Sequence, residues 1–360
     1  MTHGAAQPNL IARPELPLRI GLRMAASVDI NWQYCGLDVV RLENEVLCVD
    51  VLPQLGAKIW NFVHKPSGRN LLWHNPNLLP SRQAYGARFD DNWCGGWDEI
   101  IPNDVPATVG FGDLLPDHGE VWSQATAVEV LSGGPEACAV RFTVRGRVYP
   151  AVFQKTLRLG SCSGVLHVDY RYENRGDRPI DFLWTIHPAM SISPKTRLDV
   201  PAARVICDPW GDGRCEAWSE HRWPHVRTRE GQLLDLSLVP PAGAGGDFFY
   251  LPDIAEGWYA VTDQEAKVGF GLVFPKEVFP HLWLFRALGG WRGLYTLILE
   301  AAAGYPNDLA LAKERGQCAR LAPGEALEAH VLAVAYVGVV AVERIAPDGT
   351  IVPATRACAW

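Results

Sequence analysis

Long apolar runs, basic clusters and paired cysteines are what this 360-residue chain lacks. No apolar stretch approaches the roughly 20 residues a helix needs to cross a bilayer, so no membrane partner is expected. The 33 Lys and Arg are outnumbered by 40 Asp and Glu, for a formal charge of −7. With no basic run longer than a few residues, nothing suggests nucleic acid or an anionic membrane as partner. The nine cysteines form no CxxC pair and match no zinc-module spacing, which excludes a disulfide framework or a Cys/His metal centre as the organising device. The segment Met1–Ala6 has no basic stretch leading into an apolar one, as a secretory signal would. A reduced, cytoplasmic, soluble protein with a small-molecule partner is the reading these absences leave. They do not fix its oligomeric state.

Helical periodicity is also scarce. Residues 307–316 form the one short helix expected, with Asn307 or Asp308 capping it and Gly316 ending it. The dominant period is two. Val140–Arg145 and Leu166–Tyr172 alternate apolar and polar residues, the pattern of strands with one buried face. Further strands are expected at 37–42, 46–52, 57–63, 125–131, 152–159, 180–186, 257–262, 268–274, 281–287, 293–300 and 329–339. Turns such as Glu173–Asp177 and Leu131–Pro135 punctuate them. Many short strands in succession point to an all-β sandwich or barrel. Neither a repeat nor a composition shift marks a linker. One domain over 29–360 is expected, behind a poorly ordered or edge-wrapping leader at 1–28, and 241–246 reads as a loop.

What the chain has in excess is tryptophan, 14 in all. Most belong in a core. Aromatic rings also stack on the apolar faces of sugars, and Trp73, Trp93, Trp97, Trp122, Trp184, Trp283 and Trp291 lie beside polar or glycine-rich stretches. Two histidines stand out. His118, in Pro116–Trp122, precedes a glycine, which lets a backbone or ligand come close. His187, in Trp184–Pro188, precedes a proline, which biases it to extended geometry at a strand end. Glu300 closes the apolar run Leu297–Leu299. Each histidine taken singly also reads as a structural group, as do His74, His167, His221, His225 and His281. Stretch 93–104 reads as a loop entering a pocket, where Asp98, Glu99, Asn103 and Asp104 either bind hydroxyls beside Trp97 or simply cap a turn.

Two imidazoles and a carboxylate suit the opening of a cyclic hemiacetal. One group removes the O1 proton and another protonates the ring oxygen, and histidine titrates in the useful range. Each acid or base contributes roughly 10²–10⁴-fold, together about 5–11 kcal/mol, and no metal or organic cofactor is required.

The ordered segments Leu52–Ile59, Gly95–Asn103, Asp117–Glu120, His187–Pro188, Phe279–Leu284, Leu299–Glu300 and Leu321–Glu325 resemble the galactose mutarotase-like (aldose 1-epimerase) superfamily from about residue 37 to 339. The resemblance implies an all-β supersandwich of two large antiparallel sheets with the site in a groove. It implies an aldose 1-epimerase-like enzyme acting on a sugar or sugar derivative, with His187 as general acid at the ring oxygen and Glu300 as general base at O1. His118 would hold and polarise the substrate. Trp97, Asp98, Asn103, Glu120, Trp122, Trp184 and Trp283 become groove candidates. The superfamily's Asn-Arg sugar-binding motif has no clear counterpart; Arg82, Arg88 and Arg286 are the possible substitutes. A glycoside hydrolase or lyase is the alternative, pairing Glu300 with Asp98, Glu99 or Glu120, and a non-catalytic carbohydrate-binding protein is the third reading.

Overall fold

A computed structural model describes residues 25–355. Two antiparallel sheets dominate. The larger has twelve strands, and its centre runs Lys58–His64, Trp97–Ile100, Thr185–Met190, Tyr295–Ala302, His281–Leu288, Gly245–Leu251. The second has eight and runs from Thr196–Asp199 through Ala326–Val337 and Val165–Asn174 to Ala127–Gly133. The expected all-β supersandwich is what the chain forms.

Side chains on a strand alternate between faces, and here the alternation separates two kinds of burial. Trp97, Trp184, Ile186, Leu297, Leu299 and Ala301 face the second sheet and join the main core. Phe153, Tyr170 and Phe270 meet them edge-on, with ring centroids 5.2–6.1 Å apart. The intervening residues Ile100, Ala189, Ile298 and Trp283 face outward into smaller clusters covered by loops. That covered outer face holds the site.

A buried ion pair ties the two sheets together. Lys155, from the second sheet, contacts Glu99 at 2.9 Å, and the Tyr170 hydroxyl donates to the same carboxylate at 2.6 Å. Burying charge this deep is tolerated only when it is paired and hydrogen-bonded.

The expected helix is Leu309–Glu314; the Asp308 side chain accepts from the N–H groups of Ala310 and Leu311, a regular N-cap. Several strands lie where none was expected, among them Arg204–Gly211, Gly245–Leu251 and, inside the supposed loop 93–104, Trp97–Ile100. The span 180–186 divides into Ile180–Phe182, which pairs with Ala319–Leu321 outside the large sheets, and Thr185–Met190. The expected leader lies outside the described residues as far as 24, and a strand opens at Ser27. Among the described residues no helix is long and apolar enough to cross a membrane.

Candidate active site

The register of the central strands brings two of the three expected catalytic residues side by side. Thr185 lies opposite Ala302, Ile186 opposite Ala301, and Ala189 opposite Ile298. The same offset sets His187 opposite Glu300, and directly opposed residues share a face. Trp283 continues the rung on the next strand. His187 and Glu300 are both buried, and both line a cavity of about 160 Å³ on the outer face of the large sheet.

His118 reaches the same cavity from a loop. Its backbone is left-handed, at φ 57°, and Gly119 follows at φ 78°. A Cβ on Gly119 would lie 2.1 Å from the Ile101 carbonyl oxygen, so only glycine lets the two segments meet. The backbone N–H groups of His118 and Glu120 donate to the carbonyls of Asp104 and Ile101, at 2.6 and 2.8 Å. The ring stacks on Phe89, with centroids 4.0 Å apart and planes at 8°. Its Nδ1 lies 2.9 Å from Asp117 Oδ1 and its Nε2 3.4 Å from Asp104 Oδ1. Asp117 also accepts from the Phe89 N–H at 2.8 Å, which ties the short helix Phe89–Asn92 to the histidine.

Charge at these groups follows from their surroundings. Burial alone would discharge His118, but Asp104, the Asp117 hydrogen bond and Asp90 outweigh it and lift the ring to about 9, so it is an imidazolium at neutral pH. Burial raises Asp104 to about 6 against the pull of His118. Burial, then the positive charges of His118 and Lys58, holds His187 well below the ordinary histidine range. Burial, then the charge on Asp104, holds Glu300 well above the carboxylate range. The histidine is thereby favoured neutral and the glutamate protonated.

The remaining walls are aromatic, from Phe89, Trp93, Trp210, Phe248, Phe285 and Trp291, with Asp90 and Asn307 as polar members. Two buried polar atoms on these walls have no partner, Nδ1 of His187 and Nε1 of Trp93. Among the described residues no group of three or more His, Cys, Asp or Glu is arranged to hold a metal ion.

Several sequence candidates lie elsewhere. Trp97 and Trp184 point into the sandwich, where the Trp184 indole lies 3.4 Å from Glu99. Asp98 shares the outward face but is taken by the ammonium of Lys58 at 2.5 Å. Asn103 donates to the carbonyls of Val105 and Pro116, at 2.9 and 2.7 Å, and so shapes the loop before His118. Glu120 accepts from three successive N–H groups, Arg147 to Tyr149, and from the Tyr85 hydroxyl. Trp122 packs on Phe89 and donates to the Asp117 carbonyl at 3.0 Å. Trp283 lies beneath the cavity and donates to the Gly304 carbonyl at 3.0 Å. Arg88 is exposed beside Asp91, and Arg286 is gripped at 2.7 and 2.8 Å by Asp247. None of these nine lines the cavity. Asp90, Trp210, Phe248, Phe285 and Asn307, which do, were not singled out as site residues.

The model of a domain of unknown function, DUF5107, matches residues 26–95, a span that stops short of His118, His187 and Glu300. No curated protein sequence matches the chain. Solved structures do. The Slr1438 protein from Synechocystis sp. PCC 6803 superimposes with a TM-score of 0.64 at 17% identity, over 86% of this chain and 99% of that one. A galactose mutarotase-like protein from Lactobacillus casei ATCC 334 gives 0.59 at 14%, over 83% and 100%. A galactose mutarotase related enzyme from Lactobacillus acidophilus gives 0.57 at 15%, over 83% and 97%. At these identities the likeness is one of architecture: the chain has the galactose mutarotase-like fold.

Proposed function

We propose that this protein is a cytoplasmic aldose 1-epimerase-like isomerase that interconverts the α and β anomers of a sugar by acid–base ring opening. The observation that carries the reading is the buried His187–Glu300 cross-strand pair in an aromatic cavity of about 160 Å³. Sites for drug-sized ligands run to roughly 300–1,000 Å³, so this one suits a single sugar ring, stacked on tryptophan.

Ring opening takes a proton from O1 and delivers one to the ring oxygen; closure on the other face reverses both transfers. A pair that shares one proton can do both. With that proton on Glu300, the glutamic acid serves the ring oxygen and neutral His187 accepts from O1. This reverses the roles that the superfamily resemblance implies while keeping the same two groups. His118, with a carboxylate facing each ring nitrogen, stays charged and stabilises negative charge developing on the substrate. No metal or organic cofactor enters the scheme. The hydrolase alternative needs a second carboxylate flanking the bond. The carboxylates that reading named, Asp98, Glu99 and Glu120, are engaged elsewhere and do not line the cavity.

Two-dimensional exchange NMR of anomeric protons across a panel of free sugars tests the reading. Enzyme-dependent α/β cross-peaks should vanish in His187→Ala and in Glu300→Gln while sugar binding persists. Undiminished exchange in either variant would remove that residue from the mechanism, and absence of exchange on every sugar bound would leave a binding protein.

A further inference from the structure

The cavity is unbalanced in charge. Asp90, Asp104 and Asp117 line it against one cation, His118, and no lysine or arginine is among its walls. Asp104 and Asp117 are both committed to His118. Asp90 is not: its carboxylate makes no hydrogen bond or ion pair among the described residues. The nearest guanidinium groups, of Arg88 and Arg292, are held by Asp91, at 3.6 and 2.7 Å, and Arg292 touches only the main-chain carbonyl of Asp90.

That the cavity is built for a ligand rests on a separate observation. Trp93 and His187, 3% and 5% exposed, each present a partnerless nitrogen and both line it. A buried polar atom without a partner is destabilising, and a polar ligand relieves that cost.

Granting the epimerase reading above, we propose that the sugar this site selects is an amino sugar, its ammonium held by the Asp90 carboxylate. A neutral sugar would leave the excess negative charge uncompensated in a largely apolar enclosure. A uronate or sugar phosphate would add to it, and like charges at close range are how sites reject the wrong ligand. An ammonium beside Asp90 halves that excess and gains a charge-assisted hydrogen bond. Burial and the neighbouring Asp117 raise the Asp90 carboxyl above its ordinary value, and His118 and the two arginines offset this only in part. That agrees with a carboxylate short of positive charge.

The test is a titration of intrinsic tryptophan fluorescence, since Trp93, Trp210 and Trp291 line the cavity. The probes are glucosamine, galactosamine and mannosamine, their N-acetyl forms, the neutral parent hexoses, the uronates and the 6-phosphates, at a pH where the free amines are protonated. At least one amino sugar should bind ten-fold or more tightly than its N-acetyl form and its neutral parent. Asp90→Asn should bring that ratio to within about twofold, and Asp90→Lys should reverse it in favour of the uronate. Equal or weaker binding of the amino sugars, or a preference that survives in Asp90→Asn, would overturn the proposal. Anomer exchange read by NMR on the same samples separates the two claims: charge preference without exchange refutes the epimerase alone, and exchange without preference refutes the amino sugar alone.

Discussion

Replacing Asp104 by Asn should discharge His118. The two side chains approach to 3.4 Å, with 17% of the histidine side chain exposed. Unit charges at that separation attract by about 5 kcal/mol at an effective dielectric near 20, or roughly three to four pKa units. Solvent at the ring edge trims this, and Asp117 and Asp90 remain. A fall of at least two units is therefore expected, from about 9 in the parent protein to about 7 or below. A ¹H–¹³C NMR titration of the imidazole ring reads it directly, with His118→Gln supplying the assignment. The linkage has a definite sign. A histidine raised from 6.5 to about 9 contributes stability that is complete below pH 6.5 and is lost as pH rises to about 9. The contribution is about 3 kcal/mol, and Asp104→Asn should flatten most of that limb in chemical denaturation. Titration of His118 in the variant within half a unit of its parent value, or near the free value in the parent protein, would refute the account.

Three further outcomes follow from named contacts. Gly119→Ala sets a Cβ 2.1 Å from the Ile101 carbonyl at φ 78°; it should cost on the order of 3 kcal/mol in denaturant melts, and an unchanged midpoint would show that the two segments can part freely. Lys155→Met leaves the buried Glu99 charge unpaired and should cost about 3–5 kcal/mol, most of it regained on adding Glu99→Gln; additive losses in that double-mutant cycle would contradict the pairing. Trp93→Ala should weaken sugar binding by about 1–2 kcal/mol, whereas Trp97→Phe should lower stability and spare binding. Equal effects on binding would mean that the two faces of the sheet are not separated as described.

Much of the fold is legible because strands with one buried face announce themselves. The alternation in Val140–Arg145 and Leu166–Tyr172 became the long strands Ala137–Arg145 and Val165–Asn174 of the second sheet. Trp97–Ile100 is buried on both faces, so all four residues are inaccessible whatever their polarity and the period-two signal disappears. The preceding Gly95–Gly96 reads as a loop, and the glycines do have positive φ, 91° and 80°. They are there because the backbone passes close to its neighbour: a Cβ on Gly95 would lie 2.3 Å from the Trp73 carbonyl oxygen. The same two glycines that disguise the strand allow it to enter the middle of the sheet.

The site was partly legible for the same reason, and two of its misplaced members, Trp97 and Trp184, share one cause. Trp97 and Asp98 are adjacent, as are Trp184 and Thr185, so alternation sends the tryptophan of each pair into the sandwich and only its neighbour to the outer face. Parity sorts the faces without selecting the cavity: Phe285, two along from Glu300's partner Trp283, lines it, Trp283 and Asp98 share the rung and do not, and Arg286 faces the other way and is bound by Asp247. His118 and Asp104 obey no such rule because they come from loops, whereas Phe248 follows it, lying opposite Phe285 on the neighbouring strand. The charge states were legible least of all. They depend on how deeply each group is buried and on which neighbours it meets, and that is how a pair nominated as imidazolium acid and carboxylate base comes to favour its single proton on the glutamate.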